Sequence, residues 1–180
     1  MNLYRLRSMM LFLPRMVSAK INPVRYAQKR GVNMLGKVHF YGKPLIGTEP
    51  WLITLGDNVY ITHDVEFVTH DGGTLLFRDK VPDLEITKPI TVGNNVYIGI
   101  RSIIMPGVHI GNNVIIAAGS VVTKDIPDNG VYGGIPAKFI KPINEYFEKI
   151  QEESLHLGHL SALEKEKALK ELFMKEQRRG

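Results

Sequence analysis

From Val92 onward an aliphatic residue returns every six positions, as Ile98, Ile104, Ile110, Ile116 and Val122. The positions four further on are Val96, Ser102, Val108, Val114, Ser120 and Ile126, and Gly93, Asn95, Gly99, Gly107, Gly111, Asn113 and Gly119 fall between them. A 3.6-period helix cannot carry this pattern, because each advance of six turns the side chain by about 240° and no stripe forms. Read as short strands joined by corners, the same positions stack on one another in successive coils roughly 4.8 Å apart and fill a prism with aliphatic side chains. Gly and Asn supply the corners, since Gly tolerates positive φ freely and Asn better than most. The predicted fold class is all-β, a parallel β-helix of hexapeptide repeats.

The rest of the chain is arranged around this section. Residues 1–37 read as a basic helical segment, with Asn22-Pro23 opening a short helix that Lys29-Arg30-Gly31 closes. Residues 38–141 read as the β-helix. The rhythm starts at Phe40 and Ile46, stumbles at Pro50-Trp51-Leu52, and resumes in a new phase at Leu55, Ile61 and Phe67. The interval from Phe67 to Val92 is no multiple of six, so residues 71–89 are expected to form an inserted loop outside the prism, where repeat proteins tend to carry function. Residues 142–180 read as a helical extension with helices from Asn144 and from Ser161, the second opened by a Ser161/Glu164 capping box. Leu163, Leu169, Leu172 and Phe173 give it an apolar stripe, expected to cover the end of the prism or a neighbouring subunit.

Charge narrows the functional classes. Residues 1–43 hold nine of the 23 basic side chains and none of the 18 acidic ones, so the net charge of +5 comes entirely from the N-terminal quarter. A nucleic-acid binder spreads a basic face over its folded module, and this β-helix is mildly acidic instead. Residues 1–20 are apolar and arginine-bearing, but the run Met9 to Leu13 is too short for a secretory leader. A helix packed on the body is expected there, with a peripheral membrane contact as the sharper alternative. With no cysteine, disulfides, thiolate metal sites and a Cys nucleophile are excluded and a cytoplasmic setting, at or near the inner face of a membrane, is expected.

His70 is the leading candidate for chemistry. In Phe67-Val68-Thr69-His70-Asp71-Gly72-Gly73 it ends a repeat coil and opens the inserted loop, rigid on one side and accessible on the other. An imidazole titrating near neutrality is suited to take a proton from an attacking hydroxyl. Asp71 is expected to form the turn before the two glycines, with orientation of His70 as the alternative. His63, mid-hexad, reads as a surface strand residue.

The run VGNNVYIGIRSIIMPGVHIGNNVIIAAGSVVTKDIPDNGVYGGIPAKFIKPI resembles the closing section of the hexapeptide-repeat acyltransferases, the group of galactoside, maltose and polysaccharide O-acetyltransferases. The resemblance implies that the helix is left-handed, that His70 is the catalytic base, and that acetyl-CoA is the co-substrate, with no metal required. It further implies that Ala118, Gly119, Ser120, Thr123 and Lys124 receive the pantetheine arm, that Lys138 and Lys141 lie near the nucleotide phosphates, and that the protein is a homotrimer. The acceptor it implies is a small molecule or glycan, most simply a sugar hydroxyl. Ile100 stands where relatives place a small polar residue, and Ala117 where many have Gly. Three alternatives remain open on the residues: an N-acetyltransferase acting on an antibiotic or amino sugar, a non-catalytic β-helical scaffold, and a metal enzyme using His63, His70 and His109.

Overall fold

The computed structural model describes residues 22–176, so expectations for residues 1–20 lie outside the described residues. A first helix, α1 (Pro23–Lys29), is capped as its sequence predicts: the Asn22 side chain accepts from the Arg25 N–H at 2.9 Å, Pro occupies the first turn, and Gly31 follows with φ +104°. The coils come next. The first holds β1 (Asn33–Met34) and β2 (Val38–Phe40), and the second β3 (Ile53–Leu55), β4 (Val59–Ile61) and β5 (Glu66–Phe67). After the insertion come β6 (Ile90–Val92), β7 (Val96–Ile98) and β8 (Ile103–Ile104), then β9 (His109–Ile110), β10 (Val114–Ile116) and β11 (Val121–Val122). The last coil contributes β12 (Gly130–Gly133), and β13 (Lys138–Pro142) returns along it.

Each of the three central coils, β3–β5, β6–β8 and β9–β11, gives one strand to each of three sheets. Their orders are β1-β3-β6-β9, β2-β4-β7-β10-β12-β13 and β5-β8-β11, parallel throughout except for the last pair. Register places like on like: Val59, Val96 and Val114 pair in turn, as do Ile61, Ile98 and Ile116. All six are 1% exposed or less, as are Phe67, Val92, Ile104, Ile110 and Val122. Burying each such side chain contributes roughly 1.5–3 kcal/mol, which is what holds so narrow a fold together. Ser102 and Ser120 occupy two interior positions, and both hydroxyls donate to the Ala117 carbonyl, at 3.1 and 2.6 Å, so neither is buried without a partner.

The corners explain the Asn residues. Asn58, Asn95, Asn113 and Asn129 all have φ between 54° and 63° and form a ladder, each side-chain amide donating to the next at 2.9, 3.1 and 2.9 Å. The first rung spans 37 positions and the second 18, because the insertion lies within the first. Beside the ladder a Cβ on Gly93 would come within 2.7 Å of the Gly111 carbonyl oxygen, so coil spacing itself requires glycine there. The edge expected to need a helical cap is closed on this sheet by β13, which pairs antiparallel to β12 with a bulge at Val131 and Tyr132.

From Asn144 on, the described residues form a separate compact unit. It contains most of α2 (Ile143–Glu152) and all of α3 (Ala162–Glu176). A reciprocal box opens α3: the Ser161 N–H donates to Glu164 Oε2 at 3.0 Å, and the Glu164 N–H to Ser161 Oγ at 3.5 Å. Among the described residues no helix is long and apolar enough to cross a membrane.

Candidate active site

The strand alternation that fills the prism runs out just past β5. Phe67 points in and Val68 out; Thr69 is again inside, 1% exposed, and His70 emerges half-buried. The chain then leaves the coil. Asp71 caps a 3-10 turn over Gly72–Phe77, its Oδ1 accepting the Gly73 N–H at 2.9 Å, so the turn-forming reading of Asp71 is the one the structure shows. The returning arm pairs with the departing one: Thr87 bridges His70, the Asp71 N–H donates to the Ile86 carbonyl at 2.9 Å, and the Lys88 N–H to the Thr69 carbonyl at 2.8 Å. Glu85 braces this arm by accepting from Arg78 at 2.6 Å and from Thr87 at 2.7 Å. His70 is therefore held by backbone on both sides of the insertion.

Its orienting partner is Glu49, which sequence reasoning missed. Glu49 Oε2 lies 2.9 Å from His70 Nδ1 and accepts from Thr69 Oγ1 at 2.6 Å, while Oε1 accepts from Thr48 Oγ1 at 2.5 Å. The two threonine hydroxyls, with the imidazole behind them, pull the Glu49 carboxyl down to about 2. An ionised carboxylate only accepts, so Nδ1 carries the proton and the Nε2 lone pair is left for chemistry. The segment carrying Glu49 is fixed from α1: Arg30 donates to the Gly47 carbonyl at 3.4 Å, and Gly31 packs against Trp51. The rhythm stumbles directly after Glu49, at Pro50-Trp51-Leu52, where the chain makes a 3-10 turn that hides the register of this contact.

In front of His70 is a cleft of about 490 Å³. Val68, Ile86, Met105 and Pro106 give it an apolar wall, and Asp71, Lys88 and Thr123 its polar edge. Thr123 lines the same cleft as His70. Elsewhere along that track, Ala118, Gly119 and Lys124 are not buried, and a Cβ on Gly119 would meet nothing, so its φ of +70° is what calls for glycine. Gly99 differs: a Cβ there would come within 2.5 Å of the Ala118 nitrogen of the next coil. Ser120 is fully buried with its hydroxyl on Ala117, which leaves a ligand no access to its side chain. Lys138 and Lys141 lie on β13 and line no part of this cleft. Ile100 is 41% exposed, and its carbonyl accepts the Gly119 N–H at 2.8 Å. His63 and His109 line no part of the cleft that holds His70, and among the described residues no group of three or more His, Asp or Glu is gathered for a metal.

A left-handed parallel β-helix that presents a carboxylate-backed histidine where an inserted loop leaves the coil defines a class of acyl-transfer enzyme. Comparison with known proteins agrees. The family described as bacterial transferase hexapeptide (six repeats) matches residues 89–124. Protein CapG of Staphylococcus aureus is 48% identical over 140 residues, covering 77% of this chain and 81% of that protein. The galactoside O-acetyltransferase of Escherichia coli K12 is 36% identical over 137 residues, covering 73% of this chain and 66% of that one. Among solved structures, a point mutant of AntD, an N-acyltransferase from Bacillus cereus in complex with dTDP and coenzyme A, aligns at TM-score 0.50 and 25% identity over 68% of this chain and 71% of its own. The chain belongs to the hexapeptide-repeat acetyltransferase family.

Proposed function

We propose that the protein transfers an acetyl group from acetyl-CoA to a hydroxyl of a sugar or polysaccharide precursor. The observation that carries the reading is the 2.9 Å contact between Glu49 and His70 at a cleft that also reaches Thr123. His70 Nε2 takes the proton of the acceptor hydroxyl as its oxygen attacks the thioester carbonyl. The carbon–sulfur bond breaks, and the imidazolium, stabilised by ionised Glu49, returns that proton to the departing sulfur. Acetyl-CoA supplies the activated acyl group, and no covalent enzyme intermediate is required, in keeping with a chain that has no cysteine. Small residues at Ala118 and Gly119 leave the backbone open to the pantetheine arm, and Lys124, Lys138 and Lys141 fit its phosphates.

The same reading includes a homotrimer, since three prisms packed by their flat faces create clefts between neighbours. It also includes a cytoplasmic setting, with a contact between residues 1–20 and anionic lipid as the sharper alternative for that segment. Supporting the acyl-transfer reading are a galactoside O-acetyltransferase and a coenzyme A-bound N-acyltransferase among the similar proteins. The test is thiol release from acetyl-CoA across neutral sugars, acidic sugars, amino sugars and antibiotics. Release that depends on one acceptor class supports the proposal and names the acceptor; no acceptor-dependent release on any of them overturns it.

A further inference from the structure

Lys88, an exposed residue, lines the same cleft as His70. Its backbone does not drift with the insertion. The Lys88 N–H is fixed to the Thr69 carbonyl at 2.8 Å, one residue after the Thr87 that bridges His70. Its stem is seated too: at Gly107, where φ is +83°, a Cβ would come 2.9 Å from Lys88 Cδ, so the glycine makes room for the lysine's methylenes. Among the described residues, no hydrogen bond or ion pair takes the ammonium. The acids nearby are otherwise engaged, Asp71 with the Gly73 N–H and Glu49 with Thr48, Thr69 and His70.

A lysine with a seated stem and an unpaired ammonium, lining the same cleft as the proton-accepting histidine, is a receptor for negative charge. Lys124, Lys138 and Lys141, the cations proposed above for the donor's phosphates, line no part of this cleft. We propose that Lys88 selects acceptors bearing a negatively charged substituent, a carboxylate or a phosphate, close to the hydroxyl that His70 deprotonates. The inference rests on the acyl-transfer reading and gives its acceptor a chemical class.

The test compares three acceptors of one ring type: a neutral hexose, its uronic acid and its phosphate ester. Wild-type kcat/KM is expected to favour at least one acid over the neutral sugar by about tenfold or more, as a charge-assisted contact provides. The acid preferred tells carboxylate from phosphate. In K88Q that ratio falls to near one, and in K88R most of it is kept; because both acceptors are measured on the same protein, a loss of folded enzyme cancels. A wild-type ratio near one, or a ratio that K88Q leaves unchanged, overturns the assignment. If none of the three is acylated, the transfer reading fails for these acceptors, and ligand-observed NMR of the two acids on wild type and K88Q decides Lys88 separately. Binding lost in K88Q keeps the anion site, and binding absent or unaltered removes it.

Discussion

Glu49 Oε2 and His70 Nδ1 stand 2.9 Å apart across 21 positions of sequence, with the Thr69 hydroxyl donating to the same carboxylate oxygen at 2.6 Å. One acid brought from the preceding coil therefore sets the tautomer of the histidine at the mouth of the insertion. The arrangement is rigid because Thr69 is the last residue turned into the prism, and Glu49 is held from its other side by Thr48.

Glu49→Gln removes the charge that stabilises the imidazolium while keeping the side chain's size. Steady-state kinetics on the acceptor that the panel identifies should show kcat reduced on the order of a hundredfold, with the KM values for both substrates little moved. An unreduced kcat removes Glu49 from its positioning role.

Thr69→Val keeps shape and discards the hydroxyl. One of the two strongest pulls on the Glu49 carboxyl is lost, so kcat should fall about tenfold, and Thr69→Ser should restore most of it. Equal losses in the valine and serine variants would point to packing instead of the hydroxyl.

The depressed Glu49 carboxyl also predicts a pH dependence of stability. A carboxyl near 2 when folded and about 4.5 when unfolded stabilises the folded state fully above pH 4.5, and that contribution fades as pH falls towards 2. Because the pair is partly exposed to solvent, the contribution is on the order of 1 kcal/mol. Thermal melts of wild type and Glu49→Gln between pH 7 and pH 2 should converge as acid is added, and a constant gap contradicts the linkage.

The corner ladder offers a test of the fold. Asn95 has φ 55° and two ladder bonds, so Asn95→Ala adds left-handed strain of roughly 1–2 kcal/mol to the lost hydrogen bonds. Asn95→Gly removes the strain and keeps only the bond loss. Chemical denaturation should rank wild type, Gly and Ala in falling stability, and Ala at or above Gly would refute the reading of the corner.

Much of this was legible because the six-residue period is imposed by packing. Every coil must place the same side chains inside the prism, so Val96 over Val114 and Ile98 over Ile116 follow from spacing alone. His70 was legible for the opposite reason, since it stands where the period breaks. Glu49 was not: its contact joins two coils whose relative register is hidden by the irregular turn at Pro50–Leu52, and no local motif marks an acid there. Ser120 shows two signals in conflict. The motif points to the backbone of this section as a ligand contact, while the period places the side chain among the interior positions, where it is buried. The antiparallel return of β13 left no periodic trace, because a single strand pairing once repeats nothing.

We propose that His70, set by Glu49, is the base of an acetyl-transfer reaction. Thiol release from acetyl-CoA in the presence of the best acceptor, measured for wild type and His70→Ala with equilibrium binding of CoA to each as the control for folding, tests it most directly. A loss of turnover of at least about a hundredfold with CoA binding retained is expected; turnover undiminished in His70→Ala removes His70 from the role of base.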